Sequence, residues 1–440
     1  MTMAGADFDS WGRVRRRARA SAEPADFRPG APGGFLPFGN GRSYGDTCHN
    51  DQGHLFAMRP GAAISAFDPD TGILTADAGV LLSEILALVM PHGFFLEVTP
   101  GTAQVTLGGA IANDVHGKNH HRRGTFGGSV IVRFESPSRT AIAKLVKRND
   151  LSSDHPSSWR RELDVYRSDW LRDRMPAGLS LPDCLGSMTT ENAAVIVQSE
   201  LSFDRAGRTL DWYSELANLL GQMNGPGADP ADAPPWATRR FVAHETETTV
   251  ALVPDAVAHR SLLIADVFDL WAPLLERIAL AGTLLVDALT SFPVGIHHLD
   301  GFSRNATRVG ERFVLIDWAY TGLAPLGCDA ASVIVVTGLH GDVPGALIGE
   351  FHDAVIDGYA TGLRSVGVEL PADDLRFAID VALTLRFARS LTQMHSAGDS
   401  VVSIIAGAIG RPFTELMTSW MSLAHQLEPS AERALSGVGG

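Results

Sequence analysis

The sequence predicts an α+β protein of more than one domain. Its 440 residues, 45% of them hydrophobic, are enough to form two or three hydrophobic cores. Residues 35–132 are glycine-rich with short apolar runs, a pattern typical of short strands. From residue 212 onward, long segments carry apolar residues at helical spacing. A strand-rich N-terminal part followed by a larger, mainly helical part is therefore expected.

The individual elements follow from where the apolar runs end. Runs bounded by Gly, Pro or Asp predict strands over 35–38, 73–76 and 94–98, with one helix over 82–90. A strand over 140–147 and a helix over 159–172 come next, and further helices are predicted over 212–223, 254–289, 346–366, 373–394 and 401–427. The predicted domains are 1–134 and 135–430, and the Gly-rich end at 431–440 is predicted to be a frayed tail.

The charge of the chain limits its partners. The formal net charge is −14 at pH 7. Nucleic acids and anionic membranes are bound largely through Lys and Arg, so neither is an expected partner. A small molecule or a nucleotide is the ligand class that remains, and the sequence carries no signal of an oligomeric state.

Cysteine usage and hydropathy indicate a cytoplasmic protein without a transmembrane segment. The three cysteines, Cys48, Cys184 and Cys328, are far apart and form no CxxC pair, which argues against a disulfide framework or a zinc site. The most apolar long stretch, 262–289, contains five charged residues and reads as a buried amphipathic helix. The N-terminus lacks the residue order of a secretory signal.

A glycine-dense loop follows the first predicted strand. Residues 38–46 read FGNGRSYGD. Glycine permits positive φ and close backbone approach, so successive N–H groups can converge on an anionic pyrophosphate. Glycine-rich turns are common, and this loop alone is a weak signal.

A second segment makes the first more specific. Residues 99–102 read TPGT and residues 105–121 read VTLGGAIANDVHGKNHH. In this order and at this separation, the two segments resemble the FAD-binding domain of the vanillyl-alcohol-oxidase and para-cresol-methylhydroxylase (PCMH) type of flavoprotein. The resemblance covers about residues 30–130 and implies FAD as a cofactor. Tyr44 stands where covalent members often have histidine, so it implies dissociable FAD.

The resemblance assigns residues to the cofactor one by one. Those implied to line the pyrophosphate are Gly39, Asn40, Gly41, Arg42, Ser43 and Tyr44. Those implied to approach the flavin are Thr102, Gly108, Gly109, Asn113, Val115 and His116. Beyond about residue 134 the second flavin subdomain and the substrate domain of that family are not recognisable, so the FAD-binding segment is expected to be incomplete.

The rest of the chain carries a different set of polar residues. Lys144 ends the β-like run AIAK, and Glu162 in the next predicted helix is placed to pair with it. Residues 298–305 read HLDGFSRN, which puts an amide five residues after Asp300. Phosphoryl transfer needs a carboxylate that accepts the proton of the substrate hydroxyl and a carboxamide that holds a metal ion. The run VLIDW then places Asp317 at a strand end, where an aspartate could bind Mg²⁺.

This ordered set resembles that of aminoglycoside-phosphotransferase-like kinases over about residues 137–425. The resemblance implies a protein-kinase-like fold with a helical C-lobe, ATP contacted by Lys144 and Glu162, and Mg²⁺ held by Asn305 and Asp317. It implies a catalytic loop of His298, Asp300 and Asn305, with Asp329 as the residue that supports the loop. This sequence has Leu299 where the family usually has glycine. The nucleotide-covering loop is truncated unless residues 124–130, GTFGGSV, replace it.

Three functions are open on the sequence. The first is an ATP-dependent phosphotransferase of small-molecule hydroxyls fused to an FAD-binding segment of oxidoreductase type. The second is an FAD-dependent oxidoreductase whose second half is remodelled. The third is a non-catalytic fusion that retains nucleotide binding only, because both incomplete modules meet at one junction.

Overall fold

The computed structural model contains two compact units, Met1–Val130 and Ile131–Gly440, a division four residues before the predicted boundary. The residues it describes are 34–43, 48–50, 53–96, 98, 100–113, 115, 129–136, 139–190, 193–204, 207–225, 231–258, 264–396 and 411–439. It is a mixture of helix and sheet in more than one domain, as the sequence predicts.

The first unit is built from short strands and two helices. Strand β1 (Phe35–Phe38) pairs in parallel with β2 (His54–Ala57), and β3 (Ile64–Phe67) pairs antiparallel with β4 (Leu74–Ala76). Helices α1 (Leu82–Val89) and α2 (Leu107–Ala112) follow. Leu82, Ile85 and Val89 are buried on one face of α1, the i, i+3, i+7 spacing that predicted this helix.

The strand predicted over 94–98 is wrong for the residues described there. No described residue of this run is in a strand, because the chain turns back on the end of α1 at Gly93, whose φ is +85°. The amide of Phe94 donates to Val89 O at 3.2 Å, and its ring meets Phe67 edge-on with centroids 6.1 Å apart. Phe94 and Leu96 pack against a core and Phe95 is exposed, so the described residues of this run do not extend a sheet.

The second unit begins with a four-stranded sheet. Its strands are β5 (Ser129–Ser136), β6 (Arg139–Lys147), β8 (Cys184–Thr189) and β9 (Ala193–Ser199), in the order β5-β6-β9-β8. Between β6 and β8 lie α3 (Arg161–Arg167), α4 (Asp169–Arg172) and the short strand β7 (Leu179–Ser180). The predicted helix over 159–172 is thus two helices, divided at Ser168, whose hydroxyl caps α4 by accepting from Trp170 N.

The helical part contains most of the buried hydrophobic residues. Its helices are α5 (Leu210–Asn224), α6 (Phe241–Ala258), α7 (Ala265–Thr290), α8 (Cys328–Leu339), α9 (Ile348–Ser365), α10 (Ala372–Ser396) and α11 (Phe413–Val438). Four short strands lie between α7 and α8: β10 (Val294–His297), β11 (Ala306–Val309), β12 (Arg312–Leu315) and β13 (Gly322–Pro325). Trp271, Trp318 and Trp420 are fully buried in this part.

Two predicted element boundaries need correction. The helix predicted over 254–289 is divided between α6 and α7. The frayed tail predicted over 431–440 is helical through Val438, because Ala431, Ala434 and Leu435 of α11 are buried in the helical core. Residues 401–410 of the predicted helix over 401–427 lie outside the described residues.

No helix in the described part of the chain is long and apolar enough to cross a membrane. The described portion of the apolar stretch 262–289 lies in α7, whose buried face includes Phe268, Trp271 and Leu275.

Candidate active site

The candidate catalytic loop, residues 298–305, joins β10 to β11. Strands β11 and β12 form an antiparallel hairpin with Ala306 opposite Leu315, and Ile316 N donates to Asn305 O at 2.9 Å. Asp317 follows immediately. The hairpin therefore brings Asp317 next to the end of the loop that carries Asn305.

Lys144 lies between two carboxylates. Its Nζ lies 2.7 Å from Glu162 Oε2 and 2.6 Å from Asp317 Oδ1, so strand β6, helix α3 and the end of β12 meet at one ammonium group. The Glu162 side chain is buried and that of Lys144 is 15% exposed, whereas that of Asp317 is 40% exposed. Burial lowers the pKa of Lys144, but the charges of Glu162 and Asp317 raise it by more than burial lowers it. The pKa of Lys144 therefore lies above its ordinary value. The lysine is therefore a permanent cation.

Asp300 is held from two sides. Asn305 Nδ2 donates to Asp300 Oδ2 at 3.0 Å, and Arg386 Nη2 lies 3.3 Å from Asp300 Oδ1. Burial raises the pKa of Asp300 to about 7, against the opposing charge of Arg386. A carboxyl with a pKa near neutrality is suited to exchange a proton with a bound hydroxyl.

The backbone of the catalytic loop is anchored by Asp329 at the start of α8. Its carboxylate accepts from His298 N at 3.1 Å, from Leu299 N at 2.7 Å and from Asn224 Nδ2 at 2.9 Å. Burial raises the pKa of Asp329, but His297 and the hydrogen bond from Asn224 oppose it, and the pKa lies below its ordinary value, so the carboxylate is ionised. The contact agrees with the supporting role that the sequence resemblance implies.

His298 is buried and both of its ring nitrogens are engaged. Nε2 lies 3.1 Å from Ile316 O, and Nδ1 accepts from Asp300 N at 3.3 Å. An accepting Nδ1 requires the Nε2–H tautomer of a neutral ring, and burial lowers the pKa of His298 in agreement. The ring also packs on Trp318 with centroids 4.3 Å apart. His298 thus links the loop to the strand end that precedes Asp317.

Leu299 and Asp317 have left-handed backbone conformations, with φ of 66° and 63°. They are the non-glycine residues with positive φ in the described part of the chain. Such conformations cost about 1–3 kcal/mol and cluster at functional sites. The departure from glycine at Leu299 keeps the glycine-like backbone, and the buried leucine side chain packs against Phe241 and Ala324.

Two site residues were missed by sequence reasoning. Arg386 of α10 bridges Asp300 and Glu245, with Nη1 2.8 Å from Glu245 Oε2. Arg386 is separated from Asp300 by 86 residues and from Glu245 by 141, and helical periodicity gives no signal of such a contact. Only the packing of α6 and α10 brings these charges to the loop.

A divalent cation fits Asn305 and Asp317 only together with phosphate oxygens. Because Asn305 Nδ2 donates to Asp300, its carboxamide oxygen is the atom left for a cation. No group of three or more His, Cys, Asp and Glu side chains in the described residues could hold a metal ion. Mg²⁺ commonly binds through one or two carboxylates plus substrate phosphates, so two protein ligands suffice when a nucleotide supplies the others.

In the first unit, the two segments predicted to cradle FAD lie together. Asn40 Nδ2 donates to Gln104 O at 2.7 Å, and a Cβ on Gly39 would lie 2.4 Å from Thr106 Oγ1. Gly41 has a φ of +60°. No backbone hydrogen bond between described residues is donated by the amides of 39–43, which leaves them for an anion. These features fit a pyrophosphate.

The other end of this cradle is less open. The first amides of α2 are used within the protein, with Gly108 N donating to Ala78 O at 2.8 Å and Gly109 N to Thr106 Oγ1 at 3.1 Å. Asn113 Nδ2 donates to Gly109 O at 2.9 Å. Tyr44, His116 and residues 124–128 of the candidate nucleotide-covering loop lie outside the described residues.

Known proteins that are similar to the first unit include FAD-binding proteins. A family model described as an FAD binding domain matches residues 31–133. Over 97 residues the chain is 45% identical to decaprenylphosphoryl-β-D-ribose oxidase of Mycolicibacterium smegmatis. The match covers 22% of this chain and 21% of that oxidase, so the chain spans about a fifth of the curated relative. The predicted resemblance of the N-terminal part to an FAD-binding domain is confirmed.

Solved structures similar to this chain include a kinase and a phosphotransferase. One is amicoumacin kinase hAmiN in complex with AMP-PNP and Ca²⁺, with a TM-score of 0.44 at 14% identity. The alignment covers 66% of this chain and 86% of the hAmiN chain. A spectinomycin phosphotransferase in complex with ADP and spectinomycin has a TM-score of 0.40 at 13% identity, covering 68% and 90%. The chain joins an FAD-binding-type segment to a second compact unit, and the Lys144, Glu162 and Asp317 cluster lies in that second unit.

Proposed function

We propose that the second unit transfers the γ-phosphoryl group of Mg²⁺-ATP to a hydroxyl group of a small molecule. The observation that carries the proposal is the single ammonium group of Lys144 held between Glu162 and Asp317. In kinases, a strand lysine paired with a helix glutamate contacts the phosphates, and a nearby aspartate binds the metal. An ordinary surface ion pair would be exposed and would stabilise the fold little. Lys144 and Glu162 are instead largely shielded from solvent, with side chains 15% and 4% exposed.

Each residue then has one role. Lys144 exchanges Asp317 for the α/β-phosphates while Glu162 keeps its ammonium group in place. Asp317 and the carboxamide oxygen of Asn305 would hold Mg²⁺, which would neutralise phosphate charge. Asp300 orients the acceptor hydroxyl and takes its proton as the new O–P bond forms and the bond to ADP breaks. His298 and Asp329 position the loop through the contacts described above.

The first test removes the carboxylate of Asp300. Asp300→Asn should lower phosphoryl transfer by about 10²- to 10⁴-fold, the usual contribution of a positioned general base. Binding of Mg²⁺-ATP should change little, because Asp300 does not contact the phosphates in this account. The matched control is Asp357→Asn on the exposed face of α9. Unchanged turnover in Asp300→Asn would remove the kinase assignment.

A second candidate function is FAD-dependent oxidation, which the family match over 31–133 favours. FAD, when bound, supplies redox chemistry. Gly39, Asn40, Gly41, Arg42, Ser43 and Tyr44 would hold its pyrophosphate, and Thr102, Gly108, Gly109, Asn113, Val115 and His116 would lie near its flavin. Tyr44 in place of a histidine favours dissociable FAD.

Visible absorbance of the purified chain tests FAD binding. After addition of FAD and removal of the excess, a retained and perturbed flavin band is expected. Gly39→Ala should abolish it, since the added methyl would lie 2.4 Å from Thr106 Oγ1. Gly186→Ala, with nothing within 4 Å of the new methyl, is the control. A colourless wild-type protein would show that the first unit is a remnant.

We propose that this phosphoryl transfer to a small molecule takes place in the cytoplasm. ATP-dependent transfer and three cysteines that form no disulfide, Cys48, Cys184 and Cys328, are both suited to the reducing cytoplasm. A non-catalytic fusion would be the conclusion if both the Asp300 test and the flavin test were negative.

A further inference from the structure

A chain of alternating charges leads away from Asp300 into the helical part of the second unit. Arg386 Nη2 lies 3.3 Å from Asp300 Oδ1, and Arg386 Nη1 lies 2.8 Å from Glu245 Oε2. Arg389, one turn further along α10, has Nη1 3.4 Å from Glu245 Oε1. The side chains of Arg386 and Arg389 are only 17% and 14% exposed, so these charges interact with little screening.

This chain of charges lies beside a narrow, mainly apolar cavity. Its lining includes Phe241, Val242, Leu299, Leu385, Glu245 and Arg386. The guanidinium of Arg386 lies over the Phe241 ring, 5.5 Å from its centroid. Leu299 immediately precedes Asp300, so the cavity reaches the catalytic loop from the side of α6 and α10. At about 20 Å³ the cavity is too small for a polyol, so an acceptor must reach Asp300 and Arg386 through their exposed surface, 16% and 17% of each side chain.

Some N–H groups of the two arginines have no hydrogen-bond acceptor among the described residues. These are Arg386 Nε, Arg389 Nε and Arg389 Nη1, all of them buried. Two carboxylates, Asp300 and Glu245, balance two guanidinium groups. The balance holds only while Asp300 is ionised.

Catalysis would remove that balance. As the base, Asp300 takes the proton of the acceptor hydroxyl, and its carboxylate then loses its negative charge. Within this chain of charges, Glu245 is then the carboxylate left to the two guanidinium groups, with Arg386 at 2.8 Å and Arg389 at 3.4 Å. A buried guanidinium group without its counter-charge is strongly unfavourable unless another anion replaces the lost one.

We propose that the acceptor supplies that anion, so that the second unit phosphorylates a hydroxyl compound carrying a carboxylate or phosphate group, which Arg386 binds. This inference rests on the proposed phosphotransferase function. Guanidinium groups bind carboxylate and phosphate through paired, charge-assisted hydrogen bonds, which fix orientation as well as affinity. An acceptor with an ammonium group in the same place would be repelled by Arg386 and Arg389, and is selected against.

Three polyols that differ only at C1 test the charge preference. D-gluconate, D-sorbitol and D-glucamine share a hydroxylated chain and carry a carboxylate, a hydroxyl and an ammonium group. Each is titrated calorimetrically into the full chain saturated with Mg²⁺-AMP-PNP. Gluconate should bind at least about tenfold more tightly than sorbitol, as expected for charge-assisted hydrogen bonds. Glucamine should bind more weakly than sorbitol.

Variants assign the preference to Arg386. Arg386→Met should abolish the difference between gluconate and sorbitol, and Arg386→Lys should keep part of it, because lysine keeps the charge but loses the planar fork. Arg376→Met is the control on the same helix, since its partner Asp380 keeps Arg433 at 2.6 Å. If Arg386→Met does not fold, the wild-type order of the three polyols and Arg386→Lys still decide the question.

The outcomes separate this inference from the function on which it rests. If AMP-PNP itself fails to bind with Mg²⁺, the phosphotransferase function fails before any polyol is added. If AMP-PNP binds but gluconate shows no advantage over sorbitol, or glucamine binds best, the anionic acceptor is wrong. A gluconate preference that survives Arg386→Met also overturns it.

Discussion

Asp300 shows how the surroundings of one residue set its chemistry. Burial raises its pKa to about 7, Arg386 and the Asn305 hydrogen bond oppose the rise, and the charges of Asp317 and Glu245 add to it. Because the pKa in the folded protein lies above the ordinary value of 3.8, the folded state favours the protonated form. The stability contributed by this preference is present at low pH and is lost as pH rises through about 7.

Turnover should show the opposite dependence. Only the ionised Asp300 can accept the hydroxyl proton, so phosphoryl transfer should rise with pH and level off above about 7. A pH profile of turnover at saturating Mg²⁺-ATP measures this. A profile that is flat on the acid side of neutrality would contradict the assignment of Asp300 as the base.

Leu299 gives a prediction about backbone strain. At a φ of 66°, a residue with a Cβ costs about 1–2 kcal/mol that glycine does not. Both Leu299→Ala and Leu299→Gly lose the buried side chain, but the glycine variant should be more stable than the alanine variant by about 1 kcal/mol in denaturant unfolding.

Leu315 is the matched control for this pair. It is also fully buried, and it is not among the residues with positive φ. There alanine should be more stable than glycine, the usual order in a strand. The same order at both positions would show that the loop backbone is not strained at Leu299.

At the residue scale, the sequence predicted the groups that lie in short, ordered motifs. Lys144, Glu162 and Asp317 were recognisable because each sits at a fixed place on a strand, helix or strand end, and the structure brings their charged atoms within 2.7 Å. Their roles in catalysis stay predictions. Glu245 and Arg386 could not be found this way, because their position depends on how two distant helices pack.

At the element scale, α3 is fixed by an arginine that has no carboxylate partner among the described residues. Arg161 is fully buried beside Glu162, and its guanidinium donates to the backbone carbonyls of Ser153, His155, Pro156, Trp236 and Ala319. Burial lowers the pKa of Arg161 to about 10, which still leaves it charged at neutral pH. One side chain thus joins the helix of Glu162 to the segment that follows Asp317.

Removal of this arginine should be costly. Arg161→Met leaves several buried carbonyl groups without a donor, and the free energy of unfolding should fall by on the order of 3 kcal/mol or more. The neighbouring Arg160→Met is the control, because Arg160 is 52% exposed and pairs only with Asp164 within the helix. That variant should lie within about 0.5 kcal/mol of the wild type. Equal effects in denaturant unfolding would refute the role of Arg161.

The sequence predicted helices and strands well where one face of the helix or strand is buried. Strand β6 and helices α1, α5, α9 and α10 lie close to the predicted ranges because their apolar residues follow a clear period. The run over 94–98 was misassigned, since a short apolar segment fits a core-filling turn as well as a strand. The end of α11 was misassigned because small residues such as Ala431 and Ala434 are buried without looking hydrophobic in sequence.

At the scale of the whole molecule, the sequence predicted two unlike modules, and the chain divides into two compact units at Val130. The match to an FAD binding domain stays within residues 31–133, and the Lys144, Glu162 and Asp317 cluster lies entirely in the second unit. The composition change near residue 134 was visible because each module has its own pattern of glycine and helix-forming residues. The acceptor of the proposed phosphoryl transfer could not be predicted from the sequence, because acceptor recognition depends on packed helices.

Mg²⁺-dependent binding of AMP-PNP to the full chain is the most direct test of a nucleotide site at Lys144. Calorimetric titration of the wild type, Lys144→Met, Asp317→Asn and the exposed control Asp357→Asn makes the comparison. We expect the wild type and Asp357→Asn to bind AMP-PNP only with Mg²⁺, and Lys144→Met and Asp317→Asn to lose at least about tenfold in affinity. Failure of the wild type to bind, or equal binding by all four proteins, would contradict a kinase-like nucleotide site at Lys144.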